Sequence, residues 1–204
     1  MRGGLAVAIA LIALASAAAA ASDAAVSRPL ATQVELQLKS TKQTSSPTAT
    51  PSARHRRTRT GVAALEHAVI VRMNEVRRRH GLRPLRHNAS LSTAADFHSR
   101  DMARKGYFEH DSASGTAFWR RIERFYPSRG FRSWTVGENL LWGTESYGAA
   151  FAVREWMQSP PHRENILSRG WREVGIGAVS VSSAPGEYRG RAVTIVTADF
   201  GSRT

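Results

Sequence analysis

Val62, Leu65, Val69, Met73 and Val76 recur at spacings of three and four, which lays one apolar stripe along a helix. The stripe runs into Arg77-Arg78-Arg79, and His80-Gly81 with Pro84 beyond supplies a stop. A second helix is predicted from about Ser90, read as its cap, to Lys105. It buries Leu91, Ala94, Ala95, His98 and Met102, and Gly106 ends it. Thr116 to Phe125 and Tyr147 to Met157 predict two more helices, and Pro160-Pro161 opens a short one. The period then changes to two. Val174, Ile176 and Ala178 share one side of a strand while Gly175 and Gly177 share the other, where something is expected to approach the backbone closely. Arg191 to Phe200 is the other strong strand, Pro185-Gly186 marks the turn between them, and Ser133 to Leu140 is a third. Helices followed by hairpin-joined strands predict an α+β domain with an antiparallel sheet covered by helices.

The chain before this domain has a different character. Met1-Arg2-Gly3-Gly4 precedes an apolar run from Leu5 through Leu14 and an alanine tract to about Ala21, the pattern of a secretory signal peptide over residues 1–22. The apolar run is shorter than the roughly 20 residues a spanning helix needs. Residues 23–60 are rich in Ser, Thr, Pro and Ala and hold no aromatic residue, so a disordered linker is expected, ending in the basic run Arg54-His55-Arg56-Arg57-Thr58-Arg59. Residues 61–204 form the domain. With no cysteine in the chain, this domain is stabilised by its core alone, and a chain of that order buries roughly 68–70% of its unfolded surface.

The net charge of +13 fits an anionic contact outside the cell: lipid, wall polymer or polysaccharide. Nucleic acid is not expected, because no interleaving of basic and aromatic residues typical of single-strand binders appears. Most of the arginines read as a solvated face, and the basic end of the linker as a place to meet an anionic surface.

Three polar residues interrupt aromatic or Gly/Pro-marked stretches: His110 in Tyr107-Phe108-Glu109-His110, Glu138 in Gly137-Glu138-Asn139, and His162 after Ser159-Pro160-Pro161. Two imidazoles and a carboxylate are a ligand set that leaves zinc an open position. All three must be deprotonated to bind, so affinity would fall with pH through the histidine range near ~6.5. Without metal the same residues are candidates for acid–base work. Spacing alone does not force them together, and three separately satisfied structural residues are the rival reading. His98 reads as a hydrogen-bonded core imidazole. Asn139, Arg163 and Asn165 read as loop pins. Ser159 lacks the signature of a serine nucleophile. The five tryptophans read mainly as core.

Met73-Asn74-Glu75-Val76-Arg77, Gly81-Leu82-Arg83-Pro84-Leu85 and Ala94-Ala95-Asp96-Phe97-His98-Ser99-Arg100-Asp101-Met102 are followed in order by the His110, Glu138 and His162 motifs and by Glu173-Val174-Gly175-Ile176-Gly177. Over about residues 65–201 the chain resembles the CAP superfamily (cysteine-rich secretory, antigen 5 and pathogenesis-related-1 proteins, or SCP-like), in its cysteine-free bacterial branch. The resemblance implies a three-layer α-β-α sandwich whose central cleft holds two histidines and acidic residues, often with a divalent metal. His110, Glu138 and His162 match three cleft positions. A fourth, glutamate in animal and plant members, falls at Ser159. The first expectation is therefore a secreted, extracytoplasmic binding module with a zinc-capable cleft. Its ligand is open among lipid, wall polymer and protein. A metal-dependent hydrolase of peptides or cell-wall material and a lipid- or sterol-binding protein are the alternatives.

Overall fold

A computed structural model describes residues 7–9, 14–16, 51–144 and 146–204, with side chains from residue 61 onward. The remainder of the expected signal peptide and of residues 23–60 lies outside the described residues. Helix α1, Pro51–Arg79, begins inside the stretch expected to be linker, so residues 51–60 are helical. After β3, Arg86–His87, come α2, Ala89–Lys105, and α3, Phe118–Glu123. Strand β4, Trp134–Gly143, leads to α4, Ala149–Gln158, and α5, Pro160–Leu167; β5, Glu173–Val181, and β6, Val193–Arg203, close the chain. Strands β1, Val7–Ile9, and β2, Leu14–Ser16, run antiparallel along the outer side of β4.

The sheet is ordered β4, β6, β5, β3 from that side, antiparallel except for the two-residue β3, which pairs parallel with β5. Helices α1, α4 and α5 cover one face and α2 and α3 the other, the expected three-layer sandwich. On the first face Val69 and Met73 of α1 and Trp156 of α4 pack on Val174, Ile176, Ala178, Val196 and Phe200. On the second, Leu91, Ala94 and Met102 of α2 and Phe118 and Ile122 of α3 pack on Val136, Leu140, Val179 and Ile195.

The glycine side of β5 is where α2 lies. A Cβ at Gly175 would fall 2.0 Å from the backbone N of Ser92, and one at Gly177 would fall 2.0 Å from that of Asp96. Helix α2 is capped by Asn88 rather than Ser90: the Asn88 side chain accepts from the N–H groups of Ser90 and Leu91, satisfying donors that the helix cannot. It ends at Gly106 with φ 76, the left-handed conformation glycine adopts at no steric cost.

Where β5 runs past β3 it faces no further strand, and two of its outward N–H groups are taken by helix side chains. Ile176 N–H donates to Ser92 Oγ at 3.2 Å and Ala178 N–H to Glu66 Oε1 at 2.9 Å. Of the arginines read as solvated, Arg77 is buried and donates to the carbonyls of Arg83, Ile166 and Ser168. It holds the end of α1 to the end of α5.

Candidate functional site

Alternation along β4 sets up the site. Val136, Glu138, Leu140 and Trp142 face α2 and α3, while Gly137, Asn139 and Leu141 face the layer of α4 and α5. Glu138 therefore projects, fully buried, beneath the loop that follows α2. That loop carries His110, whose ring lies edge-on to Phe118 at 6.2 Å between centroids.

His110 Nδ1 is 2.7 Å from Glu138 Oε1. A carboxylate only accepts, so Nδ1 carries the proton of this bond and Nε2 is the nitrogen left to serve as a ligand. That Nε2 is buried and has no hydrogen-bond partner. The second Glu138 oxygen is held by Arg121 Nη2, while Arg121 Nη1 donates to the His110 carbonyl at 2.7 Å. One guanidinium thus fixes both the carboxylate and the loop bearing the imidazole, and Arg121 and Glu138 are each almost wholly buried. Burial alone would push the Glu138 carboxyl up, but Arg121, then His98 and His110, outweigh it and hold it well below the ordinary carboxylate range.

His98 of α2 donates from Nε2 to the Glu109 carbonyl at 2.9 Å and lies 4.0 Å from Glu138 Oε1. Burial pushes its pKa down to about 4 despite the neighbouring carboxylate, so it is neutral. Tyr107, whose hydroxyl donates to Asp101 at 2.9 Å, stands against the same ring. The core reading of His98 holds, and the residue also walls the Glu138 pocket.

Asp199 of β6 is the direct cross-strand neighbour of Glu138. It is fully buried. Burial, then the charge of Glu138, pushes its pKa well above the ordinary value. One ionised and one neutral carboxyl side by side leave Arg121 and Glu138 as the balanced charges of the cluster. A raised carboxyl pKa contributes stability that is complete below the unfolded value near ~3.9 and is lost as pH rises through the folded value. Asp199→Asn cannot ionise, so the gap in urea midpoint between this variant and wild type should move in the variant's favour as pH rises from ~5 to ~8. Parallel midpoint curves would show that Asp199 is already ionised.

His162 is buried in the first turn of α5, and its Nδ1 lies 2.7 Å from Ser159 Oγ. That turn is bolted to β4. Asn139 Nδ2 donates to the His162 carbonyl at 3.0 Å, and Asn165 Nδ2 donates to the Glu138 carbonyl at 3.1 Å and to Asn139 Oδ1 at 2.9 Å. Asn139 and Asn165 are thus pins, as expected. Arg163 is exposed and makes no side-chain hydrogen bond among the described residues. The Ser159–His162 contact supplies one element of a nucleophile–base pair, yet Pro160 and Pro161 remove the N–H groups that an oxyanion site at this helix start would need.

Of the three residues expected to bind metal, His110 and Glu138 meet in one hydrogen bond and His162 lies in the first turn of α5. Glu138 spends both oxygens on His110 and Arg121, and among the described residues no group of three or more His, Cys, Asp and Glu side chains is placed to hold a metal. What fits a metal is His110 Nε2, oriented by a carboxylate on its far nitrogen, as metal-binding imidazoles usually are. Arg121 and Asp199 escaped the sequence reading. Arg121 was hidden among arginines assigned to solvent, although it sits beside Ile122 and three residues after Phe118 on the apolar face of α3. Asp199 occupies a strand position that alternation assigns to water, on a sheet that is covered on both faces.

The family model for the cysteine-rich secretory protein family, CAP, matches residues 71–200. YkwD of Bacillus subtilis (strain 168) is 34% identical over 122 residues, 60% of this chain and 45% of that protein. The membrane protein YlbC of the same organism is 29% identical over 112 residues, 55% of this chain and 31% of that protein. The chain spans less than half the length of either relative. Among solved structures, an extracellular SCP-domain protein of Bacillus anthracis strain Ames superposes with a TM-score of 0.55 at 24% identity, over 76% of this chain and 44% of that one. An outer surface protein of Borrelia burgdorferi gives 0.51 at 20% identity, over 67% and 90%. At these identities the two structures attest the fold alone.

Proposed function

Because the chain belongs to the cysteine-rich secretory protein (CAP) family, we propose that it is an exported binding module whose cleft takes a divalent metal, zinc foremost, through imidazole nitrogen. The observation that carries this is His110 Nε2, a buried nitrogen without a hydrogen-bond partner, on a ring held by Glu138 and Arg121. His162, whose carbonyl accepts from the Asn139 side chain, is the second donor. Bound metal would supply a positive centre to which an anionic or carbonyl-bearing ligand coordinates.

Two features favour binding over hydrolysis. Glu138 is held ionised far below neutrality and is saturated by hydrogen bonds, which makes it a poor proton acceptor. Ser159 stands where the family's animal and plant members carry a fourth acid. The signal-peptide pattern of residues 1–22 supports export, and no described helix is long and apolar enough to cross a membrane.

Zinc titration by calorimetry tests the reading. His110→Ala and His162→Ala should each abolish measurable binding, and Glu138→Gln should weaken it ~10–100-fold by releasing the ring it orients. Equal affinity in wild type and both histidine variants would dispose of the metal site.

A further inference from the structure

We propose that the loop joining α3 to β4, with the flanks of α2 and β6 beside it, is a docking face for an anionic lipid surface. Two of the exposed large hydrophobic residues belong to it, Phe97 at 40% and Phe131 at 42%. Phe131 follows Gly130, whose φ of 89 turns the chain at the loop tip, and Arg129 and Arg132 flank the pair, all exposed.

The rings and guanidinium groups form a connected series. Phe97 of α2 packs on Phe125 with centroids 5.7 Å apart, and the Arg124 guanidinium lies 5.9 Å and 6.0 Å from the two rings. Next to Phe125, Tyr126 is covered by Arg203 of β6 at 4.0 Å, and the same guanidinium sits 4.5 Å from Phe131. Stacking orients a guanidinium and leaves N–H groups for an oxyanion; Arg203 spends Nη1 on the Pro127 carbonyl at 3.2 Å and keeps its other donors. The nearby carboxylates are already engaged. Asp96 is paired with Arg100, Glu123 accepts from the Ser128 hydroxyl, and Glu173 accepts from the Tyr126 hydroxyl and from Arg86. Among the described residues Arg124, Arg129, Arg132 and Arg203 make no ion pair.

Uncompensated positive charge fits any polyphosphate, but the phenyl rings favour lipid. A phosphate polymer rewards the arginines alone, whereas Phe97 and Phe131 gain only by leaving water for an apolar layer. The face lies on the α2–α3 layer and does not involve the cleft residues, so it stands or falls separately from the metal site.

Flotation of the full chain with vesicles tests the proposal. Vesicles of phosphatidylcholine containing phosphatidylglycerol should bind it, less as salt rises, and vesicles of phosphatidylcholine alone should not. Arg129→Gln/Arg132→Gln should lower affinity on the order of tenfold. Phe131→Ser should lower it several-fold while leaving binding to soluble polyphosphate unchanged. All three positions are exposed, and unchanged melting curves confirm that the variants fold. Vesicle binding that survives these substitutions would move attachment elsewhere, the Arg54–Arg59 run first, and overturn the proposal. So would polyphosphate binding, insensitive to Phe131→Ser, in the absence of any vesicle binding.

Discussion

Gly177→Ala should cost on the order of 4 kcal/mol or more, the top of the range for a single substitution. The added methyl would meet the backbone of Ala95 and Asp96, with contacts of 2.0 Å to 2.4 Å. No rotamer change relieves a clash with main chain, so α2 must lift from β5. That movement would also pull on Ser99, whose hydroxyl joins the Gly177 carbonyl at 2.9 Å and Thr197 Oγ1 at 2.8 Å. Against a total stability of roughly 5–15 kcal/mol, such a loss should lower the melting temperature by ~10 °C or remove the cooperative transition. Thermal unfolding followed by circular dichroism reads this directly. A shift of only a degree or two would mean that the helix–sheet spacing is not set by these glycines.

The second large effect belongs to the buried ion pair. Arg121→Met strands the Glu138 carboxylate in a site from which water is excluded, and removing one partner of such a pair typically costs ~3–5 kcal/mol. The double variant Arg121→Met/Glu138→Gln should recover part of the loss, because the uncompensated charge goes with the second change. Urea denaturation of the two single variants and the double variant gives the coupling. Strict additivity would show that Arg121 acts through its bond to the His110 carbonyl rather than through Glu138.

Much of the scaffold was legible because each layer imposes its own period. The 3.6-residue stripe of Val69 and Met73 and the two-residue alternation of Val174, Ile176 and Ala178 meet in a single core. The paired glycines of β5 announced a close approach to the strand, and the backbone of α2 makes it. What stayed hidden is what periodicity does not encode. Asn88 rather than Ser90 caps α2 because its side-chain oxygen reaches two N–H groups at once, a matter of backbone geometry. Residues 51–60 continue α1 although their composition reads as tether. At the site, the meeting of His110 and Glu138 follows from the family pattern, but the hydrogen bonds that occupy both Glu138 oxygens do not. One of these bonds comes from Arg121, which only its place beside Ile122 and three residues after Phe118 separates from its exposed neighbours Arg120 and Arg124. Asp199 was missed for a related reason: alternation reports which side a residue faces, not whether that side is wet.

The hydrogen bonds that Ser92 and Glu66 make to Ile176 and Ala178 have a consequence for association between molecules. An unpaired strand margin is a template on which a second copy can add and propagate. Here the outward donors at these two positions are already occupied by side chains from α2 and α1, on either side of the sheet. A protein that carries no cysteine has no covalent lock against such growth. Removing Glu66 would leave the Ala178 N–H open to a neighbouring chain, so the first sign of damage there would be oligomers and turbidity.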